Sequence, residues 1–298
     1  MSASPLPQLL RAPRGSFASL AEFRSAWLPA AGTWPQPIDR ALVGGALADR
    51  LGYAFAAGYG SALQAMDPGL PSNACLCVTE AGGAHPRAIQ ARLSRAEGGW
   101  RLDGAKRWAT LAGEGDMLLV AASVGNDGDR NLLRVARVPA QSPGVARTPL
   151  PATPFTPEIP HYELRFDGVF VPEDALLPGD GWVDWVKPFR TVEDTHVGAA
   201  AAAHLLRLTR HEPALTARLS TVILAFRSIA ALDARAPETH VALDGALSLL
   251  HTLAADAAPH LEAGDAEAAA RWQRDSALLQ VATKARRARF EAALQSIG

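Results

Sequence analysis

The hydrophobic pattern changes period twice along the chain, and this limits the fold more than any compositional figure. Residues 75–79, 117–122, 132–138 and 162–166 are short runs rich in β-branched and apolar side chains, separated by Gly, Asn, Asp and Pro clusters. That is the signature of strands. On either side apolar residues recur every three or four positions, as in helices packed on a core. Leu20, Phe23 and Trp27 form one such group and Ala41, Leu42, Ala46, Leu47 and Leu51 another, with Ser19 and Pro37 as helix starts. After Gly181 four helical runs follow, at 192–208, 217–232, 240–257 and 265–294, with Pro213, Pro237 and Pro259 at the breaks. The expected fold class is α+β: N-terminal helices over 1–73, a central antiparallel β-barrel or sandwich over 74–175, and a C-terminal four-helix bundle over 176–298.

Composition removes several classes of function. With 298 residues, 48% hydrophobic and a formal charge of −1, the chain can bury a large core and has no global bias toward nucleic acid or an acidic membrane. Cys75 and Cys77 are the two cysteines, and their i, i+2 spacing suits neither a zinc knuckle nor the usual redox pair. Residues 1–17 contain no continuous apolar run, so no secretory leader and a cytoplasmic location are expected. The alanine-rich run at 192–208 is interrupted by His196 and His204 and is too short to cross a bilayer. Glu193 and His196 have the Glu-x-x-His spacing of di-iron bundles, but the sequence has no second copy, so no metal is expected. The cluster at 125–130 lacks the twelfth-position carboxylate of a calcium loop and reads as a hairpin turn. The proline-rich stretch 149–160 reads as an irregular surface connection, and the basic run Lys284, Arg286, Arg287 and Arg289 as a solvated helix face.

Residues 75–113 are the most informative. A first strand ends at Gly82 and Gly83, where a backbone without side chains can approach a ligand. Asp103-Gly104 is the strongest short hairpin signal in the chain. Trp108 and Thr110, two apart on a strand, share a face, and an indole beside a hydroxyl suits a flat heteroaromatic ring.

These residues resemble a family. VTEAGGAHP, from Val78, is similar to the Thr-Glu-Pro-Gly turn of acyl-CoA dehydrogenases; GAKRWATLAGEGDMLLVAA, from Gly104, is similar to the Gly-x-Lys-x-Trp-x-Thr strand that follows it. FDGVFVPEDALL, from Phe166, resembles the segment that closes the family's β-domain. The resemblance implies FAD as cofactor, with Thr79, Trp108 and Thr110 against the isoalloxazine ring and Val78, Gly82, Gly83 and His85 in the same cradle. His85 stands where the family has a serine facing the pyrophosphate; the plain alternative is a loop histidine beside a turn. The implied reaction is oxidation of an acyl-CoA or other acyl thioester, a carboxylate taking the α-proton while the β-hydrogen leaves as hydride. Glu193 corresponds to the base of a minority branch, and a surface or capping role is its alternative; Asp194 stands where that branch has an arginine. The resemblance also implies a homo-oligomer. Two features depart from the pattern: an Arg-x-x-Phe-Gly motif after Leu208 and a C-terminal Gly-Gly loop are both missing. Two charge-assisted contacts of about 1.5–3 kcal/mol each would go with them, leaving FAD weakly held or lost. Two readings therefore stand, a flavin-dependent acyl thioester dehydrogenase and a flavin-free relative that binds or assembles.

Overall fold

The computed structural model describes residues 4–11 and 15–298. The reading of residues 1–17 as free of a leader thus falls partly, at 1–3 and 12–14, outside the described residues. The chain divides into a helical unit, Met1–Ala65 with Thr153–Glu158 and Thr191–Gly298, and a β unit, Met66–Ala152 with Ile159–Arg190.

Seven strands make the β unit: β1 (Cys75–Cys77), β2 (Arg92–Ala96), β3 (Gly99–Thr110), β4 (Met117–Asp127), β5 (Arg130–Pro139), β6 (Val145–Pro149) and β7 (His161–Pro172). They form one curled sheet in the order β1-β4-β2-β3-β7-β6, with β5 on β4. Pairing is antiparallel except where β4 meets β1 and, at Arg92 and Ser123, β2. Alternate residues point into one core, with Leu93, Leu102, Leu118, Val120, Val138, Leu164, Phe166 and Val171 each 2% exposed or less. Burial of such side chains is the main term holding a sheet of this kind together.

One sequence expectation is corrected here. Asp103-Gly104 is not a hairpin turn, because β3 runs straight through it. The turn lies at Glu97-Gly98, where Ala96 pairs with Gly99 and Gly98 takes φ +74°. Gly104, at φ +130°, sits at a register shift against β7, and a Cβ there would fall 2.7 Å from the Ala91 Cα. Asp103 Oδ1 accepts the Gly168 amide at 2.7 Å. The pair marks a β-bulge, which draws on the same left-handed tolerance as a turn.

The helical unit contains α1 (Leu6–Arg11), α2 (Leu20–Gly32), α3 (Pro37–Leu47), α4 (Leu51–Met66), most of α5 (Lys187–Thr209), α6 (Pro213–Ile229), α7 (Pro237–Gly264), α8 (Ala266–Asp275) and α9 (Thr283–Ile297). Helix α2 opens with a reciprocal cap: Ser19 Oγ accepts the Glu22 amide, and Glu22 Oε2 accepts the Ala18 amide. Phe23 stacks between Trp27 and Tyr53 at centroid distances of 6.0 and 5.2 Å. Buried Asp39 on α3 is gripped by both arms of Arg227 on α6 at 2.6 and 3.0 Å. Helix α7 is long and apolar enough to cross a membrane by length and composition alone, although it packs on α6 and α9 through Leu243, Leu247, Leu250 and Leu253.

Two further expectations change. The run 265–294 is not one helix: it breaks at Asp275, which is wholly buried and accepts both the Thr156 amide at 2.8 Å and the Arg274 guanidinium. A 3-10 turn, Ser276–Gln280, then leads to α9. The proline-rich stretch is not merely a surface connection. Thr153–Glu158 belongs to the helical unit, held by that Thr156 bond and by the Arg274–Glu158 pair at 3.6 Å.

Candidate functional site

The loop after β1 is tied to β3 by a buried charge pair. Lys106 Nζ, with no side-chain exposure, donates to Glu80 Oε1 at 2.7 Å and to the Val78 carbonyl at 3.2 Å. Burial pushes the Lys106 pKa down, and the Glu80 carboxylate works against that shift. Glu80 also accepts the amides of Gln90 and Ala91 at 2.8 and 3.0 Å, so both of its oxygens are engaged. One residue along, the Arg107 amide donates to the Thr79 carbonyl at 2.7 Å. Thr79 is thereby fixed to the strand position immediately before Trp108.

Glu80 and Gly83 exchange backbone bonds at 3.0 and 2.9 Å, closing a tight turn with Ala81 and Gly82 exposed at its tip. The Gly83 amide is therefore used inside the loop. Gly83 takes φ +105° and faces open space where a Cβ would stand. His85 is exposed; its Nδ1 accepts the Arg87 amide at 3.3 Å, capping a short 3-10 turn, and its ring lies 6.5 Å from that of Trp182. Beyond it Arg87, Gln90, Arg92, Ser123, Asn126 and Asn131 line an open groove of about 700 Å³.

Trp108 owes its orientation to a bulge. The register of β3 against β7 shifts between Lys106 and Ala109, and Trp108 adopts φ +57°. Lys106 and Ala109, three apart, are thus both buried, and the intervening indole is turned outward at 47% exposure. Thr110, half-buried, follows two residues later, opposite His161 on β7. The His161 ring meets the Trp108 indole edge-on at 5.8 Å. Its Nδ1 is buried without a hydrogen-bond partner, and burial lowers its pKa. His161 was not singled out in the sequence, because only strand register places it beside Thr110.

Thr79, Trp108 and Thr110 are thus joined through β3. Val78 lies buried at the root of the loop, Gly82 and Gly83 at its tip, and His85 at its far end. An outward indole with threonines beside it and an unpartnered ring nitrogen suits a flat, polar-edged heterocycle.

Glu193 lies in the helical unit, half-buried on α5. Its neighbour Asp194 pairs with Arg286 at 3.2 Å and with Arg289, both on α9. The basic run is therefore only partly a solvated face. Arg286 and Arg289 are 12% and 20% exposed and neutralise Asp194, whereas Arg287 pairs with Glu291 in solvent. His196 Nδ1 lies 2.8 Å from the Val192 carbonyl oxygen, and burial lowers its pKa to about 4.

Residues 75–169 match the family described as acyl-CoA dehydrogenase, middle domain. No curated protein matches the sequence. Among solved structures the chain is similar to a putative acyl-CoA dehydrogenase from Mycobacterium smegmatis, at 17% identity and TM-score 0.66, over 98% of this chain and 93% of that one. An FAD complex of PigA aligns at 15% identity and TM-score 0.69, over 99% and 92%. Butyryl-CoA dehydrogenase from Megasphaera elsdenii aligns at 14% and 0.68, over 97% and 89%. Residues 75–169 are thus similar to the middle domain of acyl-CoA dehydrogenases, and the chain as a whole shares the fold of these solved structures.

Proposed function

We propose that the protein is a flavin-dependent oxidoreductase that removes two hydrogens from adjacent carbons of an acyl thioester. The observation that carries this reading is the outward indole of Trp108, held by a left-handed backbone and flanked by Thr110 and His161. An exposed tryptophan on a rigid strand loses little entropy on stacking against a ring. Thr79 and Thr110 offer hydroxyls to the polar edge of such a ring, and the loop from Val78 to His85 is the cradle for the rest of the cofactor. A bound flavin supplies an acceptor for the hydride. Glu193 takes the proton α to the thioester carbonyl, so that the substrate loses one proton and one hydride and becomes an enoyl thioester. The groove lined by Arg87 and Arg92 suits a phosphate-bearing carrier such as coenzyme A.

The test uses the full chain reconstituted with FAD or FMN. Anaerobic mixing with an acyl-CoA bleaches the flavin in the parent protein. In Glu193→Gln the flavin spectrum persists and the bleaching rate falls at least about 100-fold, the usual share of a general base. An unchanged rate would remove Glu193 from the reaction, and a protein that takes up no flavin would favour the binding or assembly reading.

A further inference from the structure

The strap Thr153–Glu158 of the helical unit combines backbone strain with an unsatisfied carboxylate oxygen. Thr156 is buried and takes φ +45°, a left-handed conformation that strains a β-branched residue. It is held there by its amide, which donates to Asp275 Oδ1 at 2.8 Å, while Thr153 Oγ1 donates to the Phe155 carbonyl at 2.5 Å. Glu158 closes the strap. Its side chain is 12% exposed, and its Oε1 is buried without a hydrogen-bond partner. That oxygen rests against the first turn of α4, where a Cβ on Gly52 would collide with it.

The charges facing Glu158 come from α8 and from the start of α4. On α8, Arg274 binds Asp275 at 2.6 and 2.8 Å and reaches Glu158 Oε2 only at 3.6 Å, beyond hydrogen-bond range. Ahead of α4, Arg50 is spent on Asp49 at 3.0 and 2.9 Å and on the Phe17 carbonyl at 2.9 Å. Arg271 also turns to Asp49, at 3.7 Å, and Tyr53 keeps its proton because burial pushes its pKa up. Both nearby cations thus have a preferred carboxylate other than Glu158. Burial, with the Asp275 charge adding to it, raises the Glu158 pKa above its ordinary value of 4.5, and the Arg274 and Arg50 charges offset this only in part. An ionised carboxylate with one oxygen sealed from every donor is costly, and a proton removes that cost.

We propose that Glu158 is a proton-operated latch: with its carboxyl protonated the strap Thr153–Glu158 is seated on the helical unit, and ionisation loosens it. The sign follows from linkage. A carboxyl whose folded pKa lies above its unfolded one contributes stability that is complete below the unfolded value and is lost as pH rises through the folded one. The buried His196 and His204 act in the opposite direction, since their pKa values are lowered to about 4 and about 3. A strap that loosens toward alkaline pH therefore cannot owe this to the histidines. The latch needs neither flavin nor thioester.

Amide hydrogen exchange of peptides covering residues 153–158, measured at pH 5 and pH 8 and corrected for the intrinsic effect of pH on exchange, tests the latch in the parent chain. Protection of the strap should fall at least about fivefold from pH 5 to pH 8. In Glu158→Gln, which keeps the shape without the charge, protection should be the same at both pH values and at pH 8 should exceed that of the parent. In Gly52→Ala, where the new methyl displaces the carboxyl, protection should be low at both. Equal protection of the parent at the two pH values would overturn the latch. So would a Glu158→Gln strap that exchanges faster than the parent at pH 8, because the ion pair with Arg274 would then be what holds it.

Discussion

The two units place charge in their interiors in different ways. In the β unit the buried pair is Lys106–Glu80, a point charge on a carboxylate, joining residues close in sequence, and every remaining bond of Glu80 shapes the same loop. In the helical unit the cations are arginines, some adjacent to their carboxylate, as Arg274 is to Asp275, and others distant in sequence: Arg227 on Asp39, and Arg286 and Arg289 on Asp194. A guanidinium fork spreads its hydrogen bonds over several acceptors, whereas a buried ammonium depends on the few it has. The β unit has thus gathered the bonds of its 78–85 loop around one buried ammonium and one carboxylate, whereas the helical unit sets two arginines on Asp194 beside Glu193.

The largest expected effect tests that contrast directly. Glu80→Ala strands the Lys106 ammonium in the core and should cost about 3–5 kcal/mol in urea unfolding, with flavin uptake lost as well. Glu80→Gln, which keeps the shape and acceptor but not the charge, should fall between the two proteins.

Acid should act mainly through the helical unit. His196 and His204 are buried, and burial lowers their pKa values to about 4 and about 3. Both lie below the value of about 6.5 expected in an unfolded chain, so from pH 6.5 downward the unfolded state binds protons that the folded state refuses. Stability is complete above that pH and declines below it, by about 2 kcal/mol per histidine between pH 6.5 and 5. Denaturant unfolding at the two pH values checks this, and His204→Gln should remove about half of the decline.

A smaller loss is expected for Asp194→Asn, about 1–2 kcal/mol, because Arg286 keeps the Leu279 carbonyl and the Thr283 hydroxyl as acceptors. A cost equal to that of Glu80→Ala would erase the distinction between the units. Smallest of all is the exposed Arg95–Glu173 pair, where Glu173→Ala should change stability by no more than about 0.5 kcal/mol.

What could be read in advance follows the same division. The loop and strand motif from Val78 to Thr110 was legible because its logic is local: a strand, a glycine turn and an aromatic two residues from a threonine. Even there Asp103-Gly104 misled, since a bulge and a turn need the same backbone freedom and differ only in what lies across the sheet. His161 could not be seen without the register of β7. In the helical unit the apolar periodicity located the helices, and Ser19 and Pro37 marked two of their starts. The break at Asp275 and the pairing of Asp194 with α9 depend on contacts about 90 to 120 residues apart in sequence, which periodicity does not encode.

The measurement that bears most directly on the account is flavin retention by the purified 298-residue chain after incubation with FAD or FMN and gel filtration, compared with Trp108→Ala. The account predicts about one flavin per chain in the parent, with its absorption perturbed by the indole, and at least a tenfold weaker hold in the variant. Failure of the folded parent to retain either flavin, or equal retention by the variant, would contradict it.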